Sequence, residues 1–314
     1  MKRFYFISIV YLLAHITSFA QNETLRDTIK AEKHHVDTTE NKVRAFIDHQ
    51  TDAIVGSIFG ASKQLSNADS IIKKFDALPS FGIYKDNYFV AGTDLFCKPT
   101  QRNSDAKFQV SIRQRLTNST LPFKTYFFLT YTQKAFWDVF KESFPFHDLN
   151  YNPSLGFGRA LTRHNRFLGT IMLQFEHESN GKDGEDSRSW NKVSFGTNLL
   201  FTDRWMFHAK AWIPIVDGMN NKDIVKYSGW GTFGIEYSSP KRKYNASLFV
   251  NKRGGVNLNA NIIANFSIRL FSDDNQYLFL EYYNGYGESM LEYKQYRQRL
   301  RLGIVIKPDF LSIY

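Results

Sequence analysis

From about Asn87 onward, hydrophobic and polar residues alternate in short runs, each bounded by Asn, Asp, Gly, Ser or Pro. A period of two sends successive side chains to opposite faces of a strand. The runs predict strands at 86–95, 107–116, 125–139, 150–162, 167–180, 187–202, 204–215, 228–239, 243–254, 256–271, 275–288 and 297–309. In the last run Leu300, Leu302, Ile304 and Ile306 share one face, and Arg299, Arg301, Gly303 and Lys307 the other. The fold class is therefore all-β. Twelve strands is an even number, as a single-chain bacterial outer-membrane barrel requires. A soluble two-sheet sandwich would alternate in the same way. The strand lengths and the terminal aromatic Tyr314 favour a twelve-stranded antiparallel transmembrane β-barrel spanning residues 80–314.

Upstream the pattern changes. Lys2 and Arg3 precede an apolar run from Phe4 to Leu13, and Ser18-Phe19-Ala20 follows. A charged start, a short apolar stretch and a small-residue site make residues 1–20 a signal peptide, with Gln21 as the mature start. The competing reading, a membrane anchor helix, needs roughly 20 apolar residues. Residues 21–79 form a periplasmic N-terminal extension. It is rich in Lys, Asp, Glu, Thr and His, and Val43, Phe46, Ile47, Ile54, Val55 and Ile58 have partly helical spacing.

A mean hydropathy of −0.38 suggests a soluble chain. A membrane barrel has a wet lumen as well as a lipid face, so its average stays low. The aromatic content, 16% with 29 Phe and 17 Tyr, fits the girdles such barrels carry. The single Cys97 excludes an internal disulfide framework and a cysteine metal cluster. The net charge of +10 falls to about +8 without Lys2 and Arg3. For an exported chain this points to the anionic surface of a lipid bilayer and not to nucleic acid.

Chemistry concentrates between Phe175 and Asn191. His177 and Ser179 are two apart, on the face that carries Ile171, Leu173 and Phe175. The opposite face reads Met172, Gln174, Glu176 and Glu178, which suits a lumen. On the returning strand Asn191 leads into Val193, Phe195, Thr197, Leu199 and Phe201. Three polar residues thus interrupt two lipid-facing rows at one place. Polar groups are costly against lipid and tend to be functional there. The plain alternative is that all three lie at the rim, in the interface.

His177 and Asn191 each lie seven residues from Gly184. A hairpin turning about Gly184 without a bulge makes them cross-strand partners, with Cβ atoms about 4.5–5.5 Å apart. Asn191 then orients the His177 ring, and His177 acts as general base on the Ser179 hydroxyl.

The string His177-Glu-Ser-Asn-Gly181, followed by Ser187-Arg-Ser-Trp-Asn191, resembles the signature of the outer-membrane phospholipase A family. Further segments resemble that family in order: Lys107-Phe-Gln-Val-Ser111, Tyr131-Thr-Gln-Lys134, Ser143-Phe-Pro-Phe146, Asn150-Tyr151 with Pro153, and Gly285-Tyr-Gly-Glu-Ser289. The resemblance runs from about residue 80 to 310 and leaves the extension uncovered. It implies a twelve-stranded barrel in the bacterial cell outer membrane. Its implied activity is calcium-dependent hydrolysis of fatty-acyl esters, at sn-1 and sn-2, of glycerophospholipids and lysophospholipids. It assigns Ser179 as nucleophile, His177 as base, Asn191 as orienting amide and the Gly181 amide as oxyanion donor. Calcium falls to the Ser187 hydroxyl and the Lys182 carbonyl, with Ser143 reaching in from the neighbouring subunit of a homodimer. The family usually has Arg where Lys182 stands, which puts arginine-specific contacts in doubt but not a backbone ligand. Asp183, Glu185 and Asp186 either add negative potential for a hard cation or form a solvated turn. Gln133 shares the parity of Phe127, Leu129 and Tyr131 and is expected in the dimer interface. The rival classes are a lipopolysaccharide acyl hydrolase, an inactive barrel and a porin.

Overall fold

The computed structural model describes residues 68–163, 166–202, 204–271 and 274–308. The expected signal peptide, residues 21–67 of the expected extension and Tyr314 lie outside the described residues. The chain begins with helix α1 (Ala68–Ala77) and a short strand β1 (Phe81–Ile83). Twelve longer strands follow: β2 (Asn87–Asp94), β3 (Ser104–Arg115), β4 (Tyr126–Trp137), β5 (Phe146–Arg163), β6 (Arg166–Ser179), β7 (Ser189–Leu200), β8 (Trp205–Ile215), β9 (Gly231–Ser238), β10 (Tyr244–Lys252), β11 (Ala260–Arg269), β12 (Gln276–Gly285) and β13 (Arg297–Ile306). A short helix α2 (Ile224–Ser228) sits between β8 and β9.

Each strand pairs antiparallel with its sequence neighbours, and β13 pairs back onto β2, so the twelve close into a barrel. Closure removes the edge strands that would otherwise leave backbone groups unpaired in lipid. β1 pairs with β3 on the flank that β2 occupies further along. The two are therefore halves of one stave, interrupted at Tyr84, Lys85 and Asp86.

Alternation sets the two faces. Leu173, Phe175, Phe195, Leu302 and Ile304 are each half exposed on the outer wall. Their neighbours Gln174, Glu176, Ser194 and Arg301 are buried in the lumen. Polar groups there find partners across the interior. Arg301, fully buried, makes a two-pronged contact with Asp105 at 2.8 and 3.0 Å and also reaches Glu281 and Glu288. Lys107 bridges Glu281 and Glu288, and Arg299 binds Asp94 and Asp105. A cavity of about 530 Å³, lined in part by Lys85, Lys134, His208 and Glu236, remains within the lumen.

The two ends differ. The connections 164–165, 201–204, 239–243 and 270–275 are short and lie at the end where the described chain starts and stops. One connection at that end, 116–125, runs to ten residues; those at the other end run from seven to fifteen, the longest being 216–230 and 286–296. Short turns face the periplasm in such barrels, and long loops face outward. At the short-turn end Ile72 and Phe75 of α1 pack against Tyr126, Phe128, Ala160 and Met172 on the inner wall. The Arg115 guanidinium donates to the carbonyls of Phe75, Asp76 and Leu78, satisfying acceptors that the end of a helix leaves open. At the opposite end the 286–296 loop folds inward. Met290 and Tyr293 pack with Trp190 and Ile224, and backbone amides of Met290 and Leu291 donate to Asn150 and Asp148.

Candidate active site

The β6–β7 hairpin carries the residues singled out above, at its long-loop end. Its turn is organised by Asn180, which is buried. The Asn180 amide donates to the Asp186 carbonyl at 2.8 Å, and its oxygen accepts from the Arg188 amide at 2.9 Å and the Lys182 amide at 3.4 Å. One side chain thus fixes the path of residues 182–188. Gly181 has φ of 65°, and a Cβ there would stand 2.8 Å from the Tyr151 ring. Glycine satisfies both constraints. Among the described residues the Gly181 N–H meets no acceptor.

His177 and Asn191 are Cα partners across β6 and β7, the pairing obtained by counting from Gly184. His177 Nδ1 and Asn191 Oδ1 are 2.9 Å apart. The next row joins Ser179 to Ser189 on one side and to Tyr151 on the other. Between the Tyr151–Ser179 and Ser154–Glu176 pairs the β5–β6 ladder lapses at Asn152 and Pro153, the latter having no N–H to give it. The side chain of Asn152 takes its place and donates to the His177 carbonyl at 2.9 Å. Behind the site, on the lumen side, Glu178 accepts from Trp190 at 3.0 Å and from Lys192 at 2.7 Å. Ser179 shares the outer face with His177 but makes no hydrogen bond to it in this structure. Such bonds often tighten only with substrate in place.

Asp217 was not among the residues expected at the site. It lies just past β8 and accepts from Asn191 Nδ2 at 2.9 Å and from Ser189 Oγ at 3.2 Å. The sequence held a signal for it. Ile213, Ile215 and Asp217 share a parity, so a polar residue ends this lipid-facing row as His177 ends its own.

Among the described residues, no three His, Cys, Asp or Glu side chains are grouped to hold a metal. The donors expected for calcium are of another kind, a hydroxyl and a carbonyl. Neither Ser187 Oγ nor the Lys182 carbonyl has a hydrogen-bond partner among the described residues. Two free hard oxygens on one ordered turn fit a calcium ion. Asp183, Glu185 and Asp186 have exposed side chains around them. Ser143 is exposed, with φ of 65°, in the β4–β5 turn. No contact joins it to Lys182 or Ser187 within one chain. Lys182 Nζ does reach the next strand along, donating to the His147 carbonyl at 3.1 Å. Gln133 lies on the outer wall, where its Oε1 accepts from Tyr131 at 3.1 Å. Half of its amide is therefore satisfied within the chain.

A closed barrel with an apolar outer belt, a polar interior and long loops at one end defines an outer-membrane β-barrel. Residues 81–306 match the Phospholipase A1 family, and the chain belongs to it: it is a phospholipase of the outer membrane. Phospholipase A1 of Salmonella typhimurium is 30% identical over 222 residues, covering 67% of this chain and 72% of the relative. Outer membrane phospholipase A from Escherichia coli superposes with a TM-score of 0.65 at 24% identity, over 74% of this chain and all of the other. The Salmonella typhi outer membrane phospholipase, a dimer with bound calcium, gives a TM-score of 0.65 at 23% identity over 79% of this chain and all of the other. At these identities the two structures speak for the fold.

Proposed function

We propose that the enzyme is a calcium-dependent phospholipase A. It hydrolyses fatty-acyl esters of glycerophospholipids and lysophospholipids, at sn-1 and sn-2, with Ser179, His177 and Asn191 on the lipid-facing wall. The observation that carries this reading is the 2.9 Å contact between His177 and Asn191, made at the top of two apolar rows with Ser179 two residues on. A substrate whose acyl chains lie along Leu173, Phe175 and Phe195 brings its ester to these residues without leaving an apolar environment.

Asn191 holds the imidazole with Nδ1 protonated, leaving the Nε2 lone pair to take the Ser179 proton. The Ser179 oxygen attacks the ester carbonyl, and the Gly181 N–H donates to the oxyanion that forms. His177 returns its proton to the departing glycerol oxygen, leaving an acyl-serine. Water, deprotonated by His177, then releases the fatty acid and restores Ser179. Ser187 Oγ and the Lys182 carbonyl would hold calcium, which when bound supplies positive charge beside the developing oxyanion.

Two protein oxygens are few for an ion that takes six to eight. The Ser143 hydroxyl of a second copy would add another, so the site is completed in a homodimer whose seam includes Gln133. The calcium-bound dimer of the Salmonella typhi relative supports that arrangement. The decisive test is acyl release from phospholipid micelles, with calcium or with chelator, by the parent and by Ser179→Ala. Activity insensitive to chelation removes the calcium assignment. Release from lipopolysaccharide but not from phospholipid selects the rival substrate.

A further inference from the structure

We infer that Asp217 is a positioning residue that locks the Asn191 amide and, through it, the His177 tautomer. The inference rests on the Ser179, His177 and Asn191 reading above.

An asparagine amide has two different ends. If Oδ1 faces the imidazole, Nδ1 carries the proton and Nε2 is free to act as a base. If the amide is turned over, Nδ2 donates to Nδ1, the ring proton moves to Nε2, and the serine has no base. The imidazole alone does not choose between these states, because each of its tautomers suits one of them. An aspartate carboxylate accepts only. Asp217 Oδ2, 2.9 Å from Asn191 Nδ2, therefore selects the orientation that puts Oδ1 on His177.

Asp217 is held in place from several directions. Its second oxygen accepts from Ser189 Oγ at 3.2 Å. Four residues on, the fully buried Asn221 grips the Ser189 backbone on both sides, accepting from its amide at 3.2 Å and donating to its carbonyl at 2.9 Å. Gly218, directly after Asp217, passes so close that a Cβ would stand 2.0 Å from Asn221 Oδ1 and 2.6 Å from the Ser189 carbonyl. Only glycine brings the chain back to β7 at this height. The loop is thus fastened to the strand that carries Asn191, where Asp217 accepts from the Asn191 amide.

The bland reading is a rim carboxylate that merely ties a loop to a strand. The two readings differ in what the histidine senses. The test compares Asp217→Ala, the near-isosteric Asp217→Asn and Asp217→Glu with the parent, all in detergent micelles. A fluorophosphonate probe reports Ser179 nucleophilicity with no lipid present. ¹⁵N spectra of histidine-labelled protein report the His177 tautomer, assigned by its loss in His177→Ala. We expect Asp217→Ala to slow Ser179 labelling and kcat by about tenfold, a fraction of what a general base contributes. KM should stay within about twofold, and the His177 nitrogens should shift towards a mixture of tautomers. Asp217→Asn, which can still accept through its own oxygen, should fall in between, and Asp217→Glu should recover most of the rate. Parent-like labelling and an unchanged tautomer in both Asp217→Ala and Asp217→Asn would overturn the inference. Full activity in Ser179→Ala or His177→Ala would instead remove the reading on which it rests.

Discussion

Tyr151 and Ser179 are direct cross-strand partners, and Tyr151 is also the partner of Gln133. The proposed nucleophile and the expected dimer contact therefore lie in one row across the outer wall, two strands and about 10 Å apart. A second barrel docked on Gln133 would stand beside the acyl chain as it reaches Ser179. Gln133→Leu should weaken pairing and, with it, calcium-dependent activity. Sedimentation in detergent, with and without calcium and a non-cleavable substrate analogue, checks this. A strictly monomeric sample of full activity contradicts it, as does unchanged calcium dependence in Ser143→Ala.

Ser179→Ala and His177→Ala should each abolish ester hydrolysis, while the heat-resistant migration of the folded barrel persists. Asn191→Ala should be milder, because orientation is only one part of general-base catalysis, which supplies about 10²–10⁴ in rate. Single-turnover assays on micelles separate the three.

Asn180→Ala should leave the barrel intact and loosen the 182–188 turn. It strips partners from the Lys182 and Arg188 amides and the Asp186 carbonyl at once. A fully buried polar group left unpaired costs about 1–3 kcal/mol, and these part-buried ones cost less, since water can reach them. The expected outcome is weaker calcium activation with unchanged strand content, read by calcium titration of activity and by circular dichroism.

Arg301→Ala should be strongly destabilising. It leaves Asp105, Glu281 and Glu288 facing one another in the lumen with Lys107 and Arg299 as their remaining cations. Removing one partner of a buried ion network costs about 3–5 kcal/mol. Denaturant unfolding from micelles measures it, and a loss below about 1 kcal/mol would argue against a tight network.

The inward-folded 286–296 loop should loosen in acid. Burial raises the Glu292 carboxyl, but hydrogen bonds from His147 and Arg297, with the Arg297 charge, hold it at about 2. A carboxyl depressed on folding stabilises the folded form above its ordinary pKa, and that contribution is lost as pH falls towards 2. Pepsin cleavage within 286–296 should therefore rise as the pH drops from 4 to about 2. Glu292→Gln should be cleaved readily throughout.

Much of this architecture was legible in the alternation itself. Period two assigns each residue a face, so the apolar row through Leu173 and Phe175 and the polar row through Gln174 and Glu176 could be separated in advance. Counting from Gly184 fixed the partner of His177, because the hairpin has no bulge to shift the register. What alternation cannot supply is which segments meet across empty space. The seat of α1 against Tyr126 and Phe128 depends on the diameter of the closed barrel. The role of Asn180 depends on the path of a loop, and that of Asp217 on the return of a loop to β7, the strand beside the one that carries Ser179.

The polar filling of the lumen also bears on how the outer wall responds to load. A barrel wall is one sheet thick, and the bilayer around it presses and fluctuates. The atoms proposed to do the chemistry on its outer skin would drift with every undulation if nothing stood behind them. Directly inside the His177–Asn191 pair, Glu178 joins Trp190 and Lys192, and one row down Glu176 binds Ser194 and Lys210. These contacts tie β6, β7 and β8 together from within, in the direction that the backbone ladder leaves soft. The interior thereby acts as a truss, making a flexible skin stiff enough to keep an imidazole and a hydroxyl in alignment.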